Sequence, residues 1–284
     1  MCDGEKMISV IIPTYNRADR IEKSIRSVLN QSYKDIELLV IDDGSTDNTY
    51  EVVSKIKDDR LFYYKQENQG ACAARNHGMN LAKGKYIAFQ DSDDIWYADK
   101  LEKQYNFIEM TKADLVYCGM HRIVHGKKMY IPENQDSHEK VTTSLLLYHN
   151  KISTQTILMK REIAEKISFD TTFKRLQDWD FVLQVSLAGF SIEYFPKALV
   201  RSEVQQDSIT SSISSEKAYL HLIEKYSELY QCDKKALAHI FSIISFRYKH
   251  LDKRKKRKYL KLSYKTYPNA KTFIKIFLDY LGIY

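Results

Sequence analysis

Two apolar runs that stop abruptly at polar turn residues constrain this chain more than any other feature. Ile8-Ser9-Val10-Ile11-Ile12 leads into Pro13-Thr14-Tyr15-Asn16-Arg17, and Leu38-Leu39-Val40-Ile41 leads into Asp42-Asp43-Gly44-Ser45-Thr46-Asp47. Short, β-branched and bounded by turn formers, each reads as a buried strand. Between them Ile21, Ile25, Val28 and Leu29 recur at i, i+4, i+7 and i+8, the spacing of an amphipathic helix. Strand, crossover helix and strand make a βαβ unit, which places both carboxyl ends on one edge of a parallel sheet. Open α/β sheets bind ligands at that edge.

The alternation continues with a strand at Leu61–Lys65, a helix from about Gly70 to Ala82 and a strand at Lys85–Phe89. This last strand runs into Gln90-Asp91-Ser92-Asp93-Asp94, three carboxylates within four residues. Like charges crowded at a strand's end repel one another. A hard divalent cation, Mn²⁺ or Mg²⁺, offsets that repulsion and bridges carboxylates to a substrate's phosphates. The plainer reading is a polar loop in which Asp94 caps a helix beginning near Asp99. The shared sheet edge with Thr14, Asp42 and Asp43 favours the ligand site.

Five segments stand in an order that resembles the family 2 inverting glycosyltransferases. They are Pro13-Thr14-Tyr15-Asn16, Asp42 to Asp47, Asn68-Gln69-Gly70 with Ala74-Arg75-Asn76, Asp91-Ser92-Asp93-Asp94, and Gln177-Asp178-Trp179-Asp180. The resemblance covers roughly residues 7 to 205. It implies the GT-A fold: α/β, Rossmann-like, a mostly parallel central sheet flanked by helices, here with a helical C-terminal extension. It also implies a metal-dependent hexosyltransferase that moves a hexose or N-acetylhexosamine from a UDP-sugar donor to a hydroxyl of a glycan acceptor. A lipid-linked saccharide of surface polysaccharide or glycoconjugate biosynthesis is the expected acceptor.

Carried over residue by residue, the resemblance makes Asp93 the metal ligand, with Asp91 on the metal's water shell or the donor ribose. Thr14 and Asp43 match positions that hold the base, Tyr15 can stack on that ring, and Pro13, Arg17, Asp42 and Ser92 complete the donor-binding set. Arg75 either supports the donor side or pairs with Asp91 or Asp93. Asp178 matches the general base, with a helix N-cap as its structural alternative. Gln177 stands where the family carries Glu, which leaves the acceptor geometry open.

Competing readings fit less well. The first strand is not followed by Gly-x-Gly-x-x-Gly, and Gly78 to Gly84-Lys85 has the wrong spacing and the wrong following element for a P-loop. A sugar-1-phosphate nucleotidyltransferase needs a Gly-rich, basic phosphate loop where Thr14-Tyr15-Asn16-Arg17 stands. An inactive sugar-binding or scaffold module would not need the carboxylates together with Asp178.

Cys2, Cys72, Cys118 and Cys232 are scattered, which suits thiols in a reducing cytoplasm. The N-terminus has no apolar signal core, and no stretch reaches a membrane-spanning length of about 18 apolar residues. Residues 211–284 hold 16 Lys+Arg against 6 Asp+Glu in a chain of net charge +7, so residues 1–210 are acidic overall. The expected organisation is a catalytic domain over 1–210 and a basic helical region over 211–284. The tail reads as helices at about Glu216–Tyr230, Lys234–Tyr248, Lys253–Tyr264 and Asn269–Leu281.

Its basic run Lys253 to Lys258, with Phe273, Ile274, Phe277, Leu278, Leu281 and Tyr284 on one helical face, suits an anionic membrane surface. Lys271, Lys275 and Asp279 sit off that face. The alternative packs the apolar stripe on the catalytic domain. No nucleic-acid module is recognisable, so nucleic acid is not an expected partner; oligomerisation is left open. The expected location is cytoplasmic, peripheral at the inner face of the membrane. Three smaller expectations concern the acceptor half. Ser153–Met159 reads as a strand beside the acceptor pocket, and Trp96 and Trp179 as sugar-stacking or packing residues. His121 to Lys140 reads as a variable insertion with His121, His125 and His138 on the surface.

Overall fold

The computed structural model describes residues 6–124, 126–132, 141–203 and 212–280. The chain divides into two compact units. One comprises Met1–Thr143, Lys151–Thr172 and Gln177–Ser208; the other comprises Ser144–Asn150, Phe173–Leu176 and Ile209–Tyr284.

In the larger unit the chain runs β1 (Ile8–Thr14), α1 (Ile21–Leu29), β2 (Ile36–Asp42), α2 (Thr49–Ser54), β3 (Leu61–Lys65), α3 (Ala71–Leu81) and β4 (Tyr86–Phe89). It continues through β5 (Ile95–Trp96), α4 (Lys100–Thr111), β6 (Leu115–Val124), β7 (Lys127–Ile131), β8 (Ile157–Lys160), α6 (Arg161–Ala164), α7 (Gln177–Leu187) and β9 (Ile192–Glu203); the intervening α5 (Thr143–Tyr148) belongs, after its first residue, to the smaller unit. The sheet order is β3-β2-β1-β4-β8-β6-β9-β5, with β7 paired to β6. The β3-β2-β1-β4 portion is parallel, and Thr14 stands opposite Asp42 at its carboxyl edge. Beyond β4 the sheet is mixed: β8 runs antiparallel to both β4 and β6, and β9 is parallel to β6.

Both faces of β1 are covered, which explains its unbroken burial. Ile8, Val10 and Ile12 share one core cluster with Ile21, Ile25, Val28 and Leu29 of α1. Ile11 points to the other face, where α3 approaches so closely that a Cβ on Gly78 would lie 2.5 Å from Ile11 Cγ2. Each fully buried aliphatic side chain contributes about 1.5–3 kcal/mol. Pro13 is tolerated in this central strand because the β1–β4 ladder ends at Ile11 and Phe89, before its missing N–H would be needed.

Several expectations for the second half of this unit change. Ser153–Met159 is not a continuous strand: a 3₁₀ turn at Thr154–Thr156 precedes β8. The segment expected as a variable insertion contains the β6–β7 hairpin, and His121 lies within β6 with Nδ1 2.9 Å from Tyr97 Oη. Burial lowers the His121 pKa. His125 and His138 lie outside the described residues, as does Cys2. Trp96 and Trp179 are buried, at 3% and 4% exposure, and so serve packing. The Trp96 indole donates to the Gln155 carbonyl at 3.2 Å, with the Lys100 ammonium 3.8 Å from its ring centroid.

The smaller unit is helical: α8 (Ser212–Lys225), α9 (Ser227–Cys232), α10 (Lys234–Arg247), α11 (Lys253–Thr266) and α12 (Ala270–Tyr280). The first expected helix is thus two, interrupted at Tyr226. Asp252 caps α11 by accepting from the backbone N–H groups of Arg254 and Lys255. Glu216 of α8 accepts from Lys255 Nζ at 2.7 Å and from the hydroxyls of Tyr248 and Tyr259. Burial works against its charge, but these donors prevail and hold its carboxyl down at about 2.

Asp279, which the sequence places off the apolar face of the last helix, sets which side of that helix is inward. It is 2% exposed and accepts from Lys256 Nζ at 2.7 Å and Arg257 Nε at 2.6 Å. The side of α12 that carries Thr272 and Asp279 is therefore the inward one. Removing one partner from a buried ion pair costs about 3–5 kcal/mol, so this contact fixes which way α12 faces. Lys255, Lys256 and Arg257 are half of the basic run, and all three are engaged within the unit. Leu281 and Tyr284 lie outside the described residues. Among the described residues no helix is long and apolar enough to cross a membrane.

Candidate functional site

The carboxyl edge of β1, β2 and β4 is built by loops that are stitched to one another. Asn16, in the left-handed region at φ +50°, accepts from Thr46 N at 2.8 Å through its side-chain oxygen. Arg17 N donates to Thr49 Oγ1 at 3.0 Å, and Ala18 N donates to Asp47 at 3.1 Å. Gly44, at φ +83°, turns the chain after Asp43 where a Cβ would lie 3.0 Å from Asn68 N. These ties hold Thr14 and Tyr15 beside Asp43. Thr14 is buried and its Oγ1 has no hydrogen-bond partner, whereas Tyr15 is 44% exposed at the rim.

Asp42 and Asp43, adjacent in sequence, face different surroundings. Asp42 is fully buried, and its carboxylate accepts from Tyr63 Oη and from Ser45 N. Its charge is spent on shaping the turn. Asp43 accepts from Gln66 Nε2 at 2.8 Å, Gln69 N at 2.9 Å and Gly70 N at 2.7 Å. Gln66 is oriented in turn by His77 Nδ1, 2.8 Å from its side-chain oxygen. A carboxylate offers about four acceptor positions, so one remains on Asp43.

At the end of β4 the four residues Asp91 to Asp94 form a turn, closed by Asp94 N donating to Asp91 O at 3.2 Å. Asp94 does not cap α4. It is buried, and Gln155 Nε2 donates to its Oδ2 at 2.8 Å, while Gln90 Nε2 donates to its carbonyl. Burial and the neighbouring Asp91 raise its pKa well above the usual range. Ser92 is buried, and Asp93 projects outward to solvent. Crowding by protein and the charge of Asp91 also raise Asp93, against the pull of Arg17 and Arg20.

Arg75 connects this turn to α7. Its guanidinium donates to Asp91 Oδ1 at 2.9 Å and to Gln177 Oε1 at 3.0 Å, while its Nε is buried without a partner. Of the alternatives open for Arg75 in the sequence, pairing with Asp91 is the one formed. The helix α7 starts at Gln177, so Asp178 sits in its first turn and is not its cap. Below lies an apolar floor. Phe169 and Phe181 stack at 4.2 Å, Phe89 meets Phe169 edge-on, and the Arg75 guanidinium stands 5.5 Å from the Phe169 ring centroid. Desolvation there pushes Asp178 up to about 6, and Asp91 adds to the rise. The Trp179 N–H and Arg75 pull the other way.

The ends of β1, β2 and β4 thus bring Pro13, Thr14, Tyr15, Asp42, Asp43, Asp91, Ser92 and Asp93 to one sheet edge, Arg17 lies within electrostatic reach of Asp93, and Arg75 joins Asp91 to the α7 turn that carries Asp178. Sequence reasoning missed Gln66, Tyr63 and Gln155, which lie outside the carboxylate motifs; Asp94 stood within one. The donors at the turn fit a hard divalent cation: carboxylate oxygens, of which Asp93 and Asp94 are raised by burial and then by the charge of Asp91. Among the described residues no group of three or more His, Cys, Asp or Glu is arranged to hold a metal alone. Two carboxylates that leave positions for substrate phosphates match that arrangement.

Comparisons with known proteins give the fold and the family. In fold, the chain is similar to the Staphylococcus aureus protein TarS 1–349 crystallised with UDP-GlcNAc (TM-score 0.71, 22% identity, 92% of this chain and 81% of that one). It is also similar to the mannosyltransferase PcManGT of Pyrobaculum calidifontis, in complex with GDP-Man and Mn²⁺ (TM-score 0.63, 17% identity, 98% and 80%). In sequence it is 36% identical over 165 residues to WfaP of Escherichia coli, a UDP-Glc:alpha-D-GlcNAc-diphosphoundecaprenol beta-1,3-glucosyltransferase. That match spans 58% of this chain and 64% of WfaP, less than two thirds of the relative's length. The model of glycosyl transferase family 2 matches residues 9–176, over half of the chain. The chain belongs to glycosyl transferase family 2, and its fold is GT-A.

Proposed function

We propose that this enzyme is an inverting, metal-dependent transferase that moves a hexose or N-acetylhexosamine from a UDP-sugar to a hydroxyl of a lipid-linked glycan. In this reading residues 1–210 are the catalytic domain and 211–284 a basic helical region. The observation that carries the reading is the Arg75 bridge, which ties the donor-side carboxylate Asp91 to the helix turn bearing Asp178. The names of the relatives support the donor and acceptor classes: WfaP uses UDP-Glc and a diphosphoundecaprenol-linked sugar, and TarS binds UDP-GlcNAc.

Each residue has a task in this reading. Asp43 accepts the uracil N–H through its remaining lone pair, Thr14 Oγ1 satisfies its orphaned hydrogen bond on the nucleoside, and Tyr15 covers the ring. Asp93 and Asp91 hold Mn²⁺ or Mg²⁺, which when bound neutralises charge developing on the diphosphate. Arg75 keeps Asp91 oriented. Asp178 takes the proton of the acceptor hydroxyl as its oxygen bonds to the anomeric carbon and the bond from that carbon to the diphosphate breaks. A raised pKa suits that work, because a base near neutrality is strong yet still ionised. A single displacement inverts the anomeric centre. With a UDP-α-sugar donor and a GlcNAc-diphospholipid acceptor, the anomeric proton of the product should show the large coupling of a β-linkage by ¹H NMR. An α-linked product would refute the single displacement.

A further inference from the structure

The last helix shows its apolar side to solvent. Phe273, Ile274 and Phe277 are 55%, 53% and 56% exposed, and they share one face of α12 at spacings of one and four residues. Thr272 and Asp279 occupy the opposite, buried face. This is the reverse of a helix that covers its own core. The ion pairs of Asp279 with Lys256 and Arg257 hold α12 in this orientation, so the apolar face is presented by design of the unit's own contacts.

Its neighbour α11 carries a complementary feature. Arg254, Lys258 and Lys265 are exposed and fall on one face at i, i+4 and i+11, with Lys256, Tyr259, Leu260 and Ser263 buried on the other. The two helices meet through Tyr264 and Phe273, whose ring centroids are 6.0 Å apart. Lys271, exposed in the first turn of α12, adds a further positive charge. We propose that this α11–α12 surface docks on an anionic lipid bilayer. The Phe273–Ile274–Phe277 face enters the headgroup boundary, and Arg254, Lys258, Lys265 and Lys271 meet lipid phosphates. The basic run itself is only partly involved, since half of it is engaged inside the unit.

Charge complementarity selects the occupant. A second copy would bring two strongly basic surfaces together, which disfavours association. A bilayer with acidic headgroups offers both an apolar layer for the phenylalanines and negative charge for the lysines. Docking is independent of the transfer chemistry above and would place the enzyme beside a lipid-linked acceptor.

The test is co-sedimentation of the full chain with phosphatidylcholine vesicles, with and without phosphatidylglycerol, at low salt and without donor or acceptor. The wild type should bind only the phosphatidylglycerol vesicles and should be released by salt. Arg254→Gln, Lys258→Gln and Lys265→Gln combined should weaken binding by roughly a hundredfold, from the attraction of each basic residue near an acidic surface. Ile274→Ser and Phe277→Ser combined, which leave the Phe273–Tyr264 contact in place, should also abolish sedimentation, with melting temperature nearly unchanged because those two side chains are more than half exposed. Unaltered vesicle binding by either variant overturns the proposal. So does a serine variant that keeps vesicle binding but shifts from dimer to monomer on size exclusion. Equal binding of the wild type to homopolymeric RNA, unaffected by the serine variant, would likewise contradict a lipid surface. Failure here leaves the sugar-transfer reading intact.

Discussion

Asp178→Asn should slow sugar transfer by about 10²- to 10⁴-fold, the usual contribution of general acid–base catalysis, with UDP affinity unchanged. The amide is nearly isosteric and can still accept from Trp179 N, which approaches Asp178 Oδ1 at 2.8 Å. The pH dependence gives the sign. Burial raises the Asp178 carboxyl from 3.8 to about 6, so the wild-type rate should climb as pH rises through about 6 and level off above it. Stability runs the other way. A carboxyl whose folded pKa exceeds its unfolded value stabilises the fold while protonated, and that contribution is lost as pH rises from about 3.8 through about 6. The asparagine variant should therefore melt at or slightly above the wild-type temperature at neutral pH, with no inflection in its residual rate near pH 6. Activity within a few fold of wild type would make Asp178 structural. Asp180 would be a poor substitute, since it is fully buried and accepts from Gln184 Nε2 at 2.8 Å.

Asp93→Ala should remove donor turnover by several orders of magnitude while leaving the fold intact. Asp93 is exposed, and Asp91 repels its charge, so its loss relieves a local strain and should not lower the melting temperature. Asp91→Ala should behave differently. It also frees Arg75, which is held at 2.9 Å by Asp91 Oδ1, and so should disturb both the donor side and the α7 turn. Release of UDP measured beside a thermal melt separates the two variants. Equal loss of stability in both would mean that the turn is a structural element first.

The parallel half of the sheet was legible because each strand is an apolar run closed by turn residues, and each crossover helix has its own period. The carboxylate edge followed from topology, since strands joined by crossover helices run parallel and so end on one edge. What lay beyond the sequence was choice among partners. Arg75 could be assigned to a donor or to an aspartate, and only the packing of α3 against β1 brings it to Asp91 and Gln177. Asp42 and Asp43 are chemically alike in sequence; the pleat turns the first inward to Tyr63 and leaves the second at the sheet edge. In α12 the periodicity identified two faces correctly but not which one is buried. That was decided by Lys256 and Arg257, a turn of another helix away in the fold. The two-residue strand β5 is too short to announce itself, the strand read at Ser153–Met159 starts only at Ile157 as β8, and Gln155, which supports Asp94, belongs to no motif.

If the Asp91–Asp93 turn and Asp178 act together on a nucleotide-diphospho-sugar, donor turnover depends on a divalent metal. The most direct measurement is release of nucleoside diphosphate by the wild type from a panel of UDP- and GDP-sugars, in Mn²⁺ and in EDTA. At least one UDP-sugar should turn over in Mn²⁺, with turnover falling to background in EDTA. Equal turnover in EDTA, or turnover of GDP-sugars alone, would contradict that reading.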